Sequence, residues 1–582
     1  LWSYRRGRDG SEWLRPKPDP VGAVARVNLD RRQFISRSTA LGLAALAAAC
    51  GDAGTVPTSS ATPTTSTSSS TTVPATSPTT STTTTNPPRD PYASPGWLAA
   101  ENLRPGTSDW RIEAKVPGAS SKIPDGWIEG YADTTSARPG QTVTLYVSTD
   151  AESWHAEAYR MGWYGGDLAR LVWTSDDIEK TWQFNPTIDR TDPTKMRVAN
   201  WGPSLTVDVT DEWPPGSYLI KLVASSGESH YVPLTIRRDS ASAGLVVISA
   251  VTTWQAYNPW GGCSLYECFD GPGRSTVVSF DRPYARTYNW GSADFLTHEL
   301  PLIALIEELG LDTNYVTDID LHTSGLGEND DLDAVFANRT ALLSTGHDEY
   351  YSTAMRDTLG RARDTGVNLA FFGANAVYRH VRLEPNADGA PYRQMPNYRT
   401  AASDPLTDTD PEQSTVQWRN PPLNRPESSL IGVQYFAAGV TAALKVVNSS
   451  NWVFDDVAVR NGSSFKKLVS IEADGLGPAS VEPENLEVLA SGPVKYKDTE
   501  YDHAMTYYSA DSGAGVFATG TIAWINALDA EYWSDEDTTD FVRGVTSRIL
   551  RVFAEGPAGE RYPSDSNAER FRRPTRPVES EE

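Results

Sequence analysis

From Ile112 to Arg237 the apolar residues recur at every second position, in short runs broken by turn signals. Pro139-Gly140 precedes Val143, Leu145 and Val147, and Pro214-Pro215-Gly216 precedes Tyr218, Ile220 and Leu222. Period-two runs put one face of each strand into a core. They predict a β-sandwich of immunoglobulin type over residues 110–240. At about Ala243 the period changes. The runs Leu245–Ala250, Asn314–Thr317, Thr340–Leu343 and Val367–Phe372 read as strands. Leu302, Leu305, Ile306 and Leu309 lie on one face of an intervening helix, and a further helix follows Tyr350. Such alternation implies a mostly parallel sheet covered on both faces, an α/β domain over residues 243–555. Toward its end stand Phe517–Trp524, an apolar strand with Gly520 inside it, and a closing helix from Asp540 to Phe553. Residues 556–582 are charged and proline-rich and read as a frayed tail.

The front of the chain has neither period. Arg31-Arg32-Gln33-Phe34-Ile35 is a twin-arginine pattern, and the uncharged stretch Ser38–Ala49 is too short to span a bilayer, so residues 1–50 read as an export signal. Cys50 directly follows Ala47-Ala48-Ala49, as at a bacterial lipoprotein cleavage site, although Leu46 stands one place too early. Two readings stay open: a lipid anchor on Cys50, or a plain twin-arginine signal cleaved near Ala49 with Cys50 incidental. Residues 51–94, dominated by Thr, Ser and Pro, bury too little apolar surface to order themselves and read as a disordered linker.

Composition narrows the function classes. A net charge of −24 argues against nucleic acid and against a basic membrane-binding surface. Contact with a membrane is then expected only through a lipid anchor, and oligomerisation stays open. Of the three cysteines, Cys263 and Cys268 remain once Cys50 is set aside. In an exported protein a local disulfide is one reading, and a thiolate metal pair is the other.

Three candidate strands deliver polar groups just past their C-terminal ends, where open parallel sheets bind ligands. Tyr257 and Tyr266 follow the first. Gly346-His347-Asp348-Glu349-Tyr350-Tyr351-Ser352 follows another, and Gly373-Ala374-Asn375 follows the next. No G-x-S-x-G elbow, Walker loop or H-E-x-x-H pattern occurs, and with seven histidines a His-rich zinc site is not expected. Phenolate and carboxylate are hard oxygen donors suited to a highly charged cation, ferric iron among them. The plainer alternative makes the tyrosines rim aromatics and Glu349 a cap for the next helix. The aromatics of Tyr159-Arg160-Met161-Gly162-Trp163-Tyr164-Gly165-Gly166 read as either a binding face or sandwich core.

The segment Thr253–Tyr266, the Gly346–Ser352 motif and Phe371-Phe372-Gly373-Ala374-Asn375 resemble the N,N-dimethylformamidase large (beta) subunit family, as does the region Tyr159–Gly166. The resemblance runs over nearly all of residues 110–555. It implies a three-layer α/β domain similar to class I glutamine amidotransferases, and one iron ion (Fe³⁺) per chain. By motif, Tyr257, Tyr266 and Glu349 would be its ligands. His347 and Asn375 would position substrate and water, and Glu472, in Ile471-Glu472-Ala473-Asp474, would act as general base. The expected activity is hydrolysis of a C–N bond in a small amide-containing substrate, in a protein exported to the outer face of the membrane or secreted. The alternative is a non-catalytic surface protein that binds a glycan or peptide.

The signal makes the first prediction. Replacing Arg31 and Arg32 together with Lys should stop translocation, and Cys50→Ser should release an anchored chain from the membrane fraction. Cell fractionation reads both, and unchanged export would reject the twin-arginine assignment.

Overall fold

Val143, Leu145 and Val147 are fully buried along one strand, as their alternation requires. The computed structural model describes residues 2–6, 12–16, 90–113, 127–183, 191–269, 271–327, 336, 339–530 and 532–572. The twin-arginine pair, Cys50 and nearly all of the Ser/Thr/Pro segment lie outside these. Residues Trp2–Arg6 and Glu12–Pro16 pair as an antiparallel hairpin. Residues 90–94, the last of the expected linker, are placed: Tyr92 is buried edge-on to Trp97, with the Arg238 guanidinium 4.7 Å from its ring.

The first folded region has nine strands: β1 (Ile128–Ala132), β2 (Ser136–Ala137), β3 (Thr142–Thr149), β4 (Ser153–Met161), β5 (Ala169–Thr174), β6 (Ile178–Glu179), β7 (Leu205–Asp208), β8 (Gly216–Ala224) and β9 (Ser229–Ile236). One sheet runs β2-β9-β8-β4-β5 with β6 beside β4, and a second runs β1-β3-β7. Ile128, Val143, Leu145, Trp154, Ile220 and Leu234 share the core these sheets form. The six-stranded sheet is buried on its other face too. Tyr159, Met161, Leu219 and Tyr231 point away from that core and join the core of the following α/β region. An alternating strand therefore buries both of its faces here.

The second region carries β10 (Leu245–Ser249), β11 (Thr313–Thr317), β12 (Ala341–Ser344), β13 (Asn368–Phe371), β14 (Gln434–Val446), β15 (Ser464–Gly475), β16 (Glu487–Tyr496), β17 (Thr499–Ser509) and β18 (Gly515–Ala518). They form one nine-stranded sheet in the order β11-β10-β12-β13-β18-β17-β16-β14-β15. The first five are parallel. From β18 onward the pairing is antiparallel. Helices α1 (Val251–Tyr257), α2 (Leu300–Glu308), α3 (Asp318–Gly325), α4 (Thr353–Asp364) and α5 (Glu536–Ala554) accompany it. Among the described residues no helix is long and apolar enough to cross a membrane.

Two expectations are corrected. Gly520 lies outside the last strand: β18 ends at Ala518, Gly520 takes φ +65, and Ala523–Asn526 is helical. Residues 556–572 are packed rather than frayed, with Ala558 and Ala568 buried. The reason is local. The β14–β16 ladder pairs only Ser491 and Ala490 of β16, so on that side the Val488 peptide lies beyond the end of the ladder. The Asn567 side chain supplies both missing bonds, accepting from Val488 N at 2.7 Å and donating to Val488 O at 3.1 Å.

The joint between the two regions is a buried ion pair. Arg160 on β4 meets Glu307 on α2 through two hydrogen bonds of 2.6 and 2.9 Å, with both side chains at 0% exposure. Tyr315 on β11 donates to the same carboxylate at 2.6 Å, and Asn102 donates at 3.1 Å. Glycine is required around it. A Cβ at Gly162 would stand 2.0 Å from Glu307 Oε2, and one at Gly216 would stand 2.7 Å from Arg160 Nε. Much of the Tyr159–Gly166 motif is thus spent on joining the two regions.

Removing one partner of such a pair leaves a buried charge. Arg160→Ala should cost about 3–5 kcal/mol in denaturant unfolding, and Arg160→Met combined with Glu307→Leu should cost less than either change alone. A double variant no better than the single ones would refute the buried-charge account.

A second joint is sensitive to pH. Glu129 on β1 is buried and accepts from Trp260 Nε1 at 2.9 Å. Burial pushes its carboxyl up to about 8, against the weaker pull of Trp260 and Arg286. An acid whose folded value lies above its ordinary 4.5 favours the fold fully below pH 4.5 and loses that contribution as pH rises toward 8. Glu129→Gln should flatten the fall in unfolding free energy across that window by about 1.4 kcal/mol per pH unit. An unchanged slope would show that other groups set it.

Candidate functional site

The parallel strands β10, β12 and β13 end at one edge of the sheet, and the loops after them converge there. After β10, α1 ends on Tyr257. The chain then folds into a small loop closed by a Cys263–Cys268 disulfide, which holds Tyr266 within it. The thiolate-pair reading is thereby excluded. After β12 comes the loop 345–349. It touches the loop after β13 so closely that a Cβ at Gly373 would fall 1.4 Å from the Gly346 carbonyl oxygen. Asn375 follows in the left-handed region at φ +60, its N–H bonded to Asp474 Oδ1 at 2.8 Å.

Three oxygens meet at this edge. Tyr257 donates to Glu349 Oε2 at 2.9 Å, Tyr266 donates to the same atom at 2.8 Å, and the two hydroxyls are 2.6 Å apart. Their rings lie 4.2 Å apart, and Tyr257 also lies 4.9 Å from the His347 ring. His347 Nε2 stands 3.6 Å from Glu349 Oε2 and 3.6 Å from Glu472 Oε2. Its Nδ1 faces Asp294 Oδ2 at 4.0 Å. His347 Nε2, Glu472 Oε2 and Asn375 Oδ1 are buried without a hydrogen-bond partner. The structure thus brings Tyr257, Tyr266, Glu349, His347 and Glu472 together, with Asn375 beside Glu472.

The electrostatics follow from crowding acids out of water. Burial, then the neighbouring Glu349, push both phenols well above their ordinary range. Burial also acts against the charge on Glu349, but His347 and Arg379 outweigh it and hold that carboxyl below the usual range. Burial and the Glu349 charge push Glu472 up to about 7, against the pull of His347. For His347, burial favours the neutral ring, yet Glu349, Glu472 and Asp294 push it up to about 9.

Four residues at the site were not foreseen. Arg379 Nε donates to Glu349 Oε1 at 3.2 Å, which leaves Oε2 to the phenols. Tyr350 donates to the Tyr266 hydroxyl at 2.9 Å. Asp294 faces His347, and the Arg399 guanidinium lies 4.6 Å from the Tyr266 ring. Arg379 arrives through a two-residue parallel ladder, Tyr350–Tyr351 with Arg379–His380, too short to leave a periodic signal. Asp348, in contrast, turns into the loop, accepting from Ser344 at 2.7 Å and from Tyr351. Glu349 is not a helix cap either, because Ser352 caps α4.

Oxygens bound at about 2.0–2.1 Å on one face of an octahedral ion lie about 2.9 Å apart. The three separations here are 2.6, 2.8 and 2.9 Å. Among the described residues no group of three or more His, Cys, Asp or Glu is arranged to hold a metal. The present set is two phenols and one carboxylate, and it fits a hard cation.

The family model described as "N,N-dimethylformamidase beta subunit-like, C-terminal" matches residues 155–539, a span that includes every residue of this cluster. No curated protein matches the chain. Among solved structures, a cycloisomaltooligosaccharide glucanotransferase of a Paenibacillus species, complexed with cycloisomaltoheptaose, aligns at 8% identity. The alignment covers 76% of this chain and 82% of that one with a TM-score of 0.17, which carries no argument about fold.

Proposed function

The chain belongs to the N,N-dimethylformamidase beta subunit-like family, and from that premise we propose that it is an iron-dependent hydrolase of the C–N bond of an amide. In this reading Tyr257, Tyr266 and Glu349 hold the ion. The observation that carries it is the meeting of their three oxygens within 2.6–2.9 Å at the open edge of a parallel sheet. When bound, the ion supplies Lewis acidity toward an amide carbonyl and acidifies a water. The reading also takes residues 110–240 as a sandwich of immunoglobulin type and 243–555 as a layer arrangement similar to class I glutamine amidotransferases, in a protein exported through its N-terminal signal.

The chain's own side chains divide the proton work. Glu472, pushed up to about 7, stands at the protonation balance a general base needs near neutrality. It takes a proton from the attacking water. His347 carries its charge near neutrality, being pushed up to about 9, and delivers a proton to the departing nitrogen. The Asn375 side-chain amide donates to the oxygen where negative charge develops. Its place is held by the left-handed backbone at φ +60 and by the bond to Asp474.

The test uses the full chain matured in its own compartment. Metal analysis should find one iron per chain, with the visible charge-transfer band of ferric tyrosinate. Glu349→Ala should remove both metal and hydrolysis. Asn375→Ala should keep the metal and the band while lowering the rate by about 10²–10³. A colourless, metal-free wild-type protein would overturn the proposal and favour a binding module.

A further inference from the structure

Three guanidinium groups gather where the site opens to solvent. The opening is marked by Tyr266, which keeps 36% of its surface exposed while its hydroxyl turns inward to Glu349. Arg399 lies over the Tyr266 ring, and its Nη2 donates to Leu265 O at 2.8 Å. Arg379 stands on the other side of Glu349. Arg274 lies behind, tied through Nη1 and Nη2 to the carbonyls of Asn397 and Tyr398, immediately before Arg399.

Their charges are poorly matched by the protein. Among the described residues Arg379 forms an ion pair with Glu349 alone, and Arg274 and Arg399 form none. Arg399 Nε is enclosed without a hydrogen-bond partner, and the two Nη groups of Arg379 enter none of the described hydrogen bonds. Burial, then the charges of Arg399 and Arg379, pull Arg274 down to about 10. Contact with a ring face leaves N–H groups unsatisfied, and an enclosed charged donor without an acceptor is costly to the fold. The surrounding chain has 75 acidic against 51 basic residues, so three cations gathered with one carboxylate between them run against its composition. A planar guanidinium with free N–H groups suits a carboxylate, which accepts two parallel hydrogen bonds.

We propose that the opening binds a carboxylate on the substrate, held by Arg399 and Arg379 with Arg274 adding charge behind them, so that the enzyme acts on amides bearing a carboxylate group. This rests on reading the site as an amidohydrolase.

Calorimetric titration of the full chain with N-formylglycine and with its methyl ester tests the proposal, on protein with its metal and on chelated protein. The acid should bind about tenfold tighter than the ester in both forms, about 1.4 kcal/mol. Arg399→Gln should bring that ratio below about threefold, with Arg399→Lys between the two. Equal binding of acid and ester by the wild-type chain overturns the proposal, and needs no variant to fold. A preference untouched by Arg399→Gln, or lost on chelation alone, also overturns it, since the carboxylate would then be held elsewhere. On the chelated protein the titration reads binding without turnover. Selective binding with no hydrolysis of any amide therefore sinks the hydrolase reading and leaves only the carboxylate site standing, and hydrolysis without selectivity does the reverse.

Discussion

One buried carboxylate organises the functional edge of this protein. Ionised Glu349, nearly out of water, would cost several kcal/mol if left alone. The structure divides its two oxygens between different kinds of partner. Oε1 faces Arg379, and Oε2 accepts from Tyr257 and Tyr266 with His347 close by. Each partner comes from a different place in the chain: the end of α1, the disulfide loop, the β12 loop and the short ladder at Arg379. Every one of those loops is held in position by that same demand for compensation. The raised phenols and the raised Glu472 are the residue of demand that these partners do not meet.

The same logic holds the two folded regions together. Arg160 and Glu307 are both withdrawn from water, and each would be costly without the other. Their hydrogen bonds have directional geometry, whereas the apolar contacts of Tyr159, Met161 and Leu219 around them constrain orientation less. The ion pair therefore sets how the sheet carrying β4 sits against α2. Glu129, bonded to Trp260, adds a second contact from β1 to the segment between Tyr257 and the disulfide loop. The first folded region thus reaches to within a few residues of the site, as it does again where Arg197 Nε donates to Gly261 O at 3.0 Å.

A good part of this was legible in the sequence. Alternation at Val143, Leu145 and Val147 and the apolar runs beginning at Leu245 and Val367 are direct records of burial, because a side chain's face is set by its position along the strand. The location of Tyr257, Glu349, His347 and Asn375 followed from strands of one parallel sheet opening at a common edge. Tyr266 was read there too, although it stands farther from the strand, and Glu472 was reached by motif.

The remainder depended on the folded chain. Nothing local marks Arg379 as the partner of Glu349, Arg399 as the neighbour of Tyr266, or Asp348 as turned inward while Glu349 turns out. Arg160 and Glu307 lie 147 positions apart and carry no sign of each other. The packed segment at Asn567 is held at Val488, beyond the end of the β14–β16 ladder, an ending that no residue pattern announces. The sequence by itself determined which residues must leave water and on which period, because apolar burial is additive and local. Only the tertiary structure decided which charges and hydrogen-bonding groups meet, because each buried polar group takes its partner from whichever strand or loop the whole fold brings within about 3 Å.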